Sequence, residues 1–129
     1  MGQRQPKLQP ADAAQAQRLL ASGVLAIDIR DAFDFNAEHI RDARSLPLSQ
    51  QPGPIDSNGM AVLFYCQSGQ TTAMRAAELA RLAGAKSYYL DGGLDAWKEA
   101  GLPTMGGDQG ALVGADLLRR LLKSIKPAD

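Results

Sequence analysis

The chain has one cysteine, one histidine, no excess of either charge and no long apolar run, and each scarcity removes a class of protein. Cys66 stands alone, so no intramolecular disulfide can form, and with His39 as the only imidazole the usual zinc spacings are excluded. Nor does the chain hold a second thiol to resolve whatever forms on the first. Fourteen basic residues balance fourteen acidic ones, which removes any global electrostatic case for nucleic acid or an anionic membrane. No segment approaches the ~20 apolar residues of a membrane span. The first seven residues lack the apolar stretch of a secretory signal, and Pro6 stands where N-myristoylation expects Ser or Thr. A cytoplasmic protein without cofactor or metal is the expectation.

What is present is ordinary globular composition, 45% hydrophobic and 22% charged over 129 residues, enough for one domain with a real core. Helical and strand patterns alternate. Asp12–Ala21 suits a short helix ended by Gly23, and Val24–Ile27 a buried strand ending at Asp28. Phe33–Glu38 reads as one or two helical turns, and Ala43–Leu48 as a brief strand before a loop rich in Pro, Gly, Ser, Asp and Asn. Ala61–Tyr65 is the most strand-like run. One helix is then expected from about Thr71 to Ala83, with Met74, Ala77, Leu79, Ala80 and Leu82 buried. Ser87–Leu90 is another strand, Asp91-Gly92-Gly93 a turn, and Leu94–Ala100 a helix stopped by Gly101 and Pro103. This αβαβ order predicts a mainly parallel sheet flanked by helices, with ligands gathering at the carboxyl ends of the strands. Asp28 and Cys66 both fall there.

Cys66 opens the loop Cys66-Gln67-Ser68-Gly69-Gln70-Thr71-Thr72. A lone cysteine is commonly an inert core atom. This one is followed by small and hydroxylated residues, a composition that suits an anion-binding turn, and by an incipient helix whose free N–H groups favour thiolate or an anion beside it.

Three segments, in order, resemble the rhodanese family of sulfurtransferases, specifically its single-domain members. Ala26-Ile27-Asp28-Ile29-Arg30-Asp31 with Glu38-His39-Ile40-Arg41-Asp42-Ala43 resembles the strand ending in Asp-x-Arg and the segment downstream of it. Cys66–Thr71 is similar to the six-residue active-site loop, and Gly92-Gly93-Leu94-Asp95-Ala96-Trp97 to the closing Gly-Gly-x-x-x-Trp turn and helix. The resemblance covers residues 7–104. It implies an α/β rhodanese-like domain over residues 1–106, in which Cys66 takes sulfur from a donor such as thiosulfate, holds it as a persulfide and passes it to a thiophilic acceptor such as cyanide. Gln67, Ser68, Gly69, Gln70, Thr71 and Thr72 would bind substrate through loop amides and hydroxyls.

Departures from the pattern are local. Glu38 and Asp42 replace the two usual glycines around His39, and Gln67 stands where many thiosulfate-using members carry Arg. His39 is expected to be structural, Asp28 and Arg30 to pair, and Trp97 to anchor the core; Arg75 either pairs with an acid such as Asp28 or lends positive field to Cys66. Cysteine-dependent phosphatases need Arg six residues after the cysteine, where this chain has Thr72. The stronger rival is a persulfide carrier or interaction module serving a protein partner. Beyond the domain, residues 107–129 are expected to form an amphipathic helical extension, with Leu117, Leu118, Leu121, Leu122 and Ile125 on one face. Docking of that face on its own sheet is favoured over a homodimer, partner or membrane-surface contact.

Overall fold

A computed structural model describes residues 7–106. Five parallel strands form the central sheet in the order β1-β6-β5-β2-β4, with β1 Leu8–Ala11, β2 Leu25–Asp28, β4 Arg44–Ser45, β5 Val62–Tyr65 and β6 Ser87–Leu90. Between them run α1 Ala13–Ala21, α2 Ala32–Ala37, α3 Gln70–Met74, α4 Ala76–Ala83 and α5 Gly93–Glu99. A short antiparallel pair, β3 His39–Ile40 with β7 Thr104–Met105, closes one end. The amphipathic helix expected beyond residue 106 lies outside the described residues.

Local chemistry explains most of these boundaries. Asp12 caps α1 by accepting the Gln15 N–H at 2.8 Å, satisfying a donor that has no helical partner. Val62-Leu63-Phe64-Tyr65 is buried at every position because the central strand is covered on both faces. Alternate side chains separate into two cores. Ile27, Val62 and Phe64 pack toward Leu79, Ala80 and Ala83 of α4. Ala26, Leu63 and Tyr65 pack toward Ala16 of α1 and Leu94 and Trp97 of α5. Each fully buried large apolar side chain contributes about 1.5–3 kcal/mol. Trp97 is such an anchor, and its indole N–H donates to Pro103 O at 2.9 Å.

Two expectations change. The single helix over 71–83 is broken at Arg75 (φ −106°, ψ 22°) into α3 and α4. Met74 and Ala77 consequently face solvent instead of the core, while Leu79 and Ala80 are buried as expected. Strand β1 precedes the first element expected from the sequence and contains Pro10. It is tolerated because β1 is an edge strand, where one side of the backbone needs no ladder partner.

The two residues that replace glycine around His39 act differently. Asp42 adopts the left-handed conformation itself (φ +64°), which Asp tolerates better than most residues. Glu38 is extended, and its carboxylate ties three elements together: it accepts from Lys98 Nζ at 2.7 Å and from Thr104 Oγ1 at 2.6 Å. Burial works to raise its pKa, but those hydrogen bonds and the Lys98 and Arg30 charges outweigh it and hold the carboxyl below its ordinary 4.5. A depressed folded-state pKa stabilises above the unfolded value, and the contribution is lost as pH falls through the folded one. Denaturant midpoints are expected to drop less between about pH 6 and about pH 3 in Glu38→Gln than in the parent. Identical pH curves for the two would remove Glu38 as a source of acid sensitivity.

Candidate active site

Parallel register brings the ends of two central strands together. Asp28 of β2 lies opposite Tyr65 of β5, and Cys66 is the next residue beyond it. The loop that follows is shaped by a second backbone. Leu94 N donates to Cys66 O at 2.9 Å and Asp95 N to Gln67 O at 3.0 Å, so the start of α5 holds two successive loop carbonyls. In a trans peptide the N–H points opposite to the carbonyl, which turns the Gln67 and Ser68 amides away from α5. Neither amide donates to a protein acceptor among the described residues.

Such close backbone contact requires a glycine on each side, Gly93 in the turn and Gly69 in the cysteine loop. A Cβ on Gly93 (φ +64°) would lie 2.5 Å from Gln67 O and 2.6 Å from Cys66 O, and one on Gly69 (φ +88°) would lie 2.7 Å from Gly92 N. The cysteine loop and the Gly-Gly turn are therefore one packed unit.

Cys66 is 5% exposed, and its sulfur accepts the Gly69 N–H at 3.2 Å. Thr72, fully buried, donates its hydroxyl to Gly69 O at 2.9 Å, with Oγ1 3.8 Å from the sulfur. Because that hydroxyl hydrogen is already committed, a neutral Cys66 thiol is the donor in the Cys66–Thr72 contact. The Thr71 and Thr72 amides sit in the first turn of α3, where no carbonyl one turn back can accept them. The sulfur opens on a cleft of about 500 Å³ whose walls include Ile29, Leu48, Thr71, Asp31, Asp34 and Arg75.

Both guanidiniums at the cleft are paired. Asp28, fully buried, binds Arg30 through both oxygens at 2.8–3.2 Å, and Arg30 also donates to Glu38 O and, at 2.8 Å, to Gln67 Oε1. Burial works to lower the Arg30 pKa, but the hydrogen bond and charge of Asp28, with Tyr65 and Asp34, leave it raised. Burial, then the Asp28 carboxylate, raise the Tyr65 phenol as well; its oxygen accepts the Ile40 N–H at 2.9 Å. Arg75 pairs with Glu78 at 2.7 Å instead of Asp28. His39 is buried, stacks on Phe35 at 3.9 Å and bonds Phe35 O through Nδ1 at 2.9 Å, a structural position away from the cleft.

Of the loop residues singled out in the sequence, Cys66, Gln67 and Thr71 line the cleft. Ser68 and Gln70 face solvent, joined by Gln70 N to Ser68 Oγ at 3.3 Å, while Gly69 and Thr72 are buried behind the sulfur. Gln67 carries a role not read from the sequence. It accepts from Arg30 and donates to Asp95 Oδ1 at 2.6 Å, bridging the end of β2 to α5 directly beside the cysteine. The partners are 37 and 28 residues away, so no local signal joins them. Asp31 and Asp34 were also missed as cleft residues, since a helix first turn accounts for acidic residues without any site.

Comparison with known proteins agrees with this arrangement. An uncharacterized Synechocystis protein is 42% identical over 85 residues, 64% of this chain and 47% of that relative, so the chain spans about half its length. A thiosulfate sulfurtransferase GlpE from Ectopseudomonas mendocina is 31% identical over 86 residues, 65% of this chain and 79% of the relative. The crystal structure of a thiosulfate sulfurtransferase from Pseudomonas aeruginosa superposes with a TM-score of 0.68 at 28% identity, over 85% of this chain and 21% of that one. Among the described residues no helix is long and apolar enough to cross a membrane. The Rhodanese-like domain profile matches residues 12–100, from the helix cap at Asp12 past the turn that clamps the cysteine loop, and the chain belongs to that family.

Proposed function

We propose that the chain is a sulfurtransferase that carries sulfane sulfur as a persulfide on Cys66. The observation that supports this most is a buried thiol at the base of an open cleft, with unpartnered loop amides around it. Cys66 thiolate attacks the outer sulfur of thiosulfate; the new S–S bond forms as the old one breaks, and sulfite leaves with the electron pair. Cyanide then attacks the terminal sulfur of the persulfide, leaving as thiocyanate and returning the thiolate. This divides one transfer into two displacements with no net oxidation in either.

The amides of Gln67, Ser68, Thr71 and Thr72 are the groups on hand to stabilise the negative terminal sulfur. The Gln67 side chain is occupied by Arg30 and Asp95, so its part is to hold the loop. A general base is unnecessary, because the thiolate is the attacking form. On this reading the catalytic unit is the rhodanese domain, residues 107–129 are an extension, and a reducing cytoplasm suits its free thiol.

Mixed with thiosulfate and no acceptor, the purified protein is expected to release one sulfite per chain and then stop, with thiocyanate following in equal amount once cyanide is added. Continuous sulfite release without an acceptor, or none at all, would contradict the two-step scheme.

A further inference from the structure

We infer that the cleft above Cys66 receives a cysteine persulfide carried on a basic, apolar-flanked segment of a partner protein. The inference rests on the persulfide reading of Cys66 and specifies its donor. The charge of the cleft supplies the first argument. Both guanidiniums at its wall are paired, Arg30 with Asp28 and Arg75 with Glu78, whereas Asp31 and Asp34 have no cation bonded to them among the described residues. Asp31 accepts only the neutral Ser49 hydroxyl, at 2.8 Å, and the Asp34 charge is felt at Arg30 but does not bind it. With the two acids that hold the guanidiniums counted in, four carboxylates stand against two guanidiniums at and behind the cleft wall. A dianion enters against that field and a cationic segment enters with it.

The rim supplies the second argument. Three large hydrophobic side chains are exposed among the described residues, and two of them are sequence neighbours of cleft residues: Phe33 at 83%, beside Asp34, and Met74 at 76%, beside Arg75. Phe33 lies between the two acidic wall residues Asp31 and Asp34 in sequence, and Met74 is one turn after Thr71 on the same face of α3. Single exposed apolar residues need no explanation, but a pair set next to residues of one reactive cleft marks a contact surface. Sulfur must also come from outside, because Cys66 is the only thiol.

In the loading step, Cys66 thiolate attacks the outer sulfur of the partner's R–S–SH. The Sγ–S bond forms, the R–S–S bond breaks with its electron pair going to R–S⁻, and the proton stays on the transferred sulfur. The sulfur is exchanged between equivalent thiols, so no oxidant is needed.

Two synthetic peptides test this, each with one cysteine persulfide flanked by Leu and either Lys or Glu, alongside the uncharged persulfide of 2-mercaptoethanol. Loading of Cys66 is followed by intact mass. The Lys peptide should load at least about tenfold faster than the Glu peptide at low salt, with the gap closing as salt screens it. Asp34→Asn should reduce that ratio within the same preparation, and Phe33→Ser should slow the Lys peptide severalfold relative to 2-mercaptoethanol persulfide. Equal rates for the two peptides, or a small persulfide as fast as the Lys peptide, would overturn the docking inference while leaving Cys66 chemistry standing. Failure of every donor, thiosulfate included, to load Cys66 would instead remove the persulfide reading itself.

Discussion

Gly93→Ala is expected to destabilise the domain by about 2–4 kcal/mol, which for roughly 100 residues lowers the melting temperature by about 10–25 °C. Two penalties combine. A residue with a Cβ costs about 1–2 kcal/mol in the left-handed conformation. The added carbon would also meet Gln67 O at 2.5 Å and Cys66 O at 2.6 Å, and these are backbone atoms that cannot swing aside. Relief requires the cysteine loop to part from α5, losing the bonds from Leu94 N and Asp95 N, each contributing about 0.5–1.5 kcal/mol. Gly101→Ala separates the terms. Gly101 has a similar φ of +79° with nothing within 4 Å of its absent Cβ, so only the conformational cost of about 1 kcal/mol applies. Denaturant titration of both variants decides the matter: equal losses would mean that the close approach to the cysteine loop contributes nothing.

Cys66→Ser should lower thiocyanate production by at least about 10³-fold while leaving the fold intact. Serine preserves size and the acceptor for the Gly69 N–H, so stability changes little. Chemistry is another matter. A hydroxyl is un-ionised near neutral pH and needs a base, and the only imidazole is engaged with Phe35 O, outside the cleft. An oxygen nucleophile without a base has no route to the displacement. Turnover in the variant within tenfold of the parent would place the reaction elsewhere.

Much of this site is legible in the chain because its parts are local. An apolar run ending at Cys66, a glycine three residues on and a Gly-Gly turn ahead of Trp97 are short-range signals, and the structure joins them at the ends of parallel strands. The break at Arg75 is not legible in the same way. Ala, Met, Glu and Leu favour helix on both sides of it, and nothing in the 71–83 periodicity marks the interruption. The β3–β7 pair depends on residues 64 and 66 apart, and each strand is only two residues long, too short to carry a period. Gln67 shows the same limit at the site itself. As a residue type it suggested a missing charge, and only the fold reveals that Arg30 and Asp95 occupy both ends of its amide. An Arg at 67 would lie beside Arg30 and turn to Asp95, so that substitution is a poorer probe of donor charge than Asp34→Asn.

The central claim is that Cys66 holds the sulfur between donor and acceptor. Intact and peptide mass spectrometry after exposure to thiosulfate tests it directly. The account requires a gain of about 32 Da, one sulfur atom, confined to the peptide bearing Cys66, absent from Cys66→Ser and removed by cyanide. An unmodified Cys66 in protein that is turning over thiosulfate would contradict it.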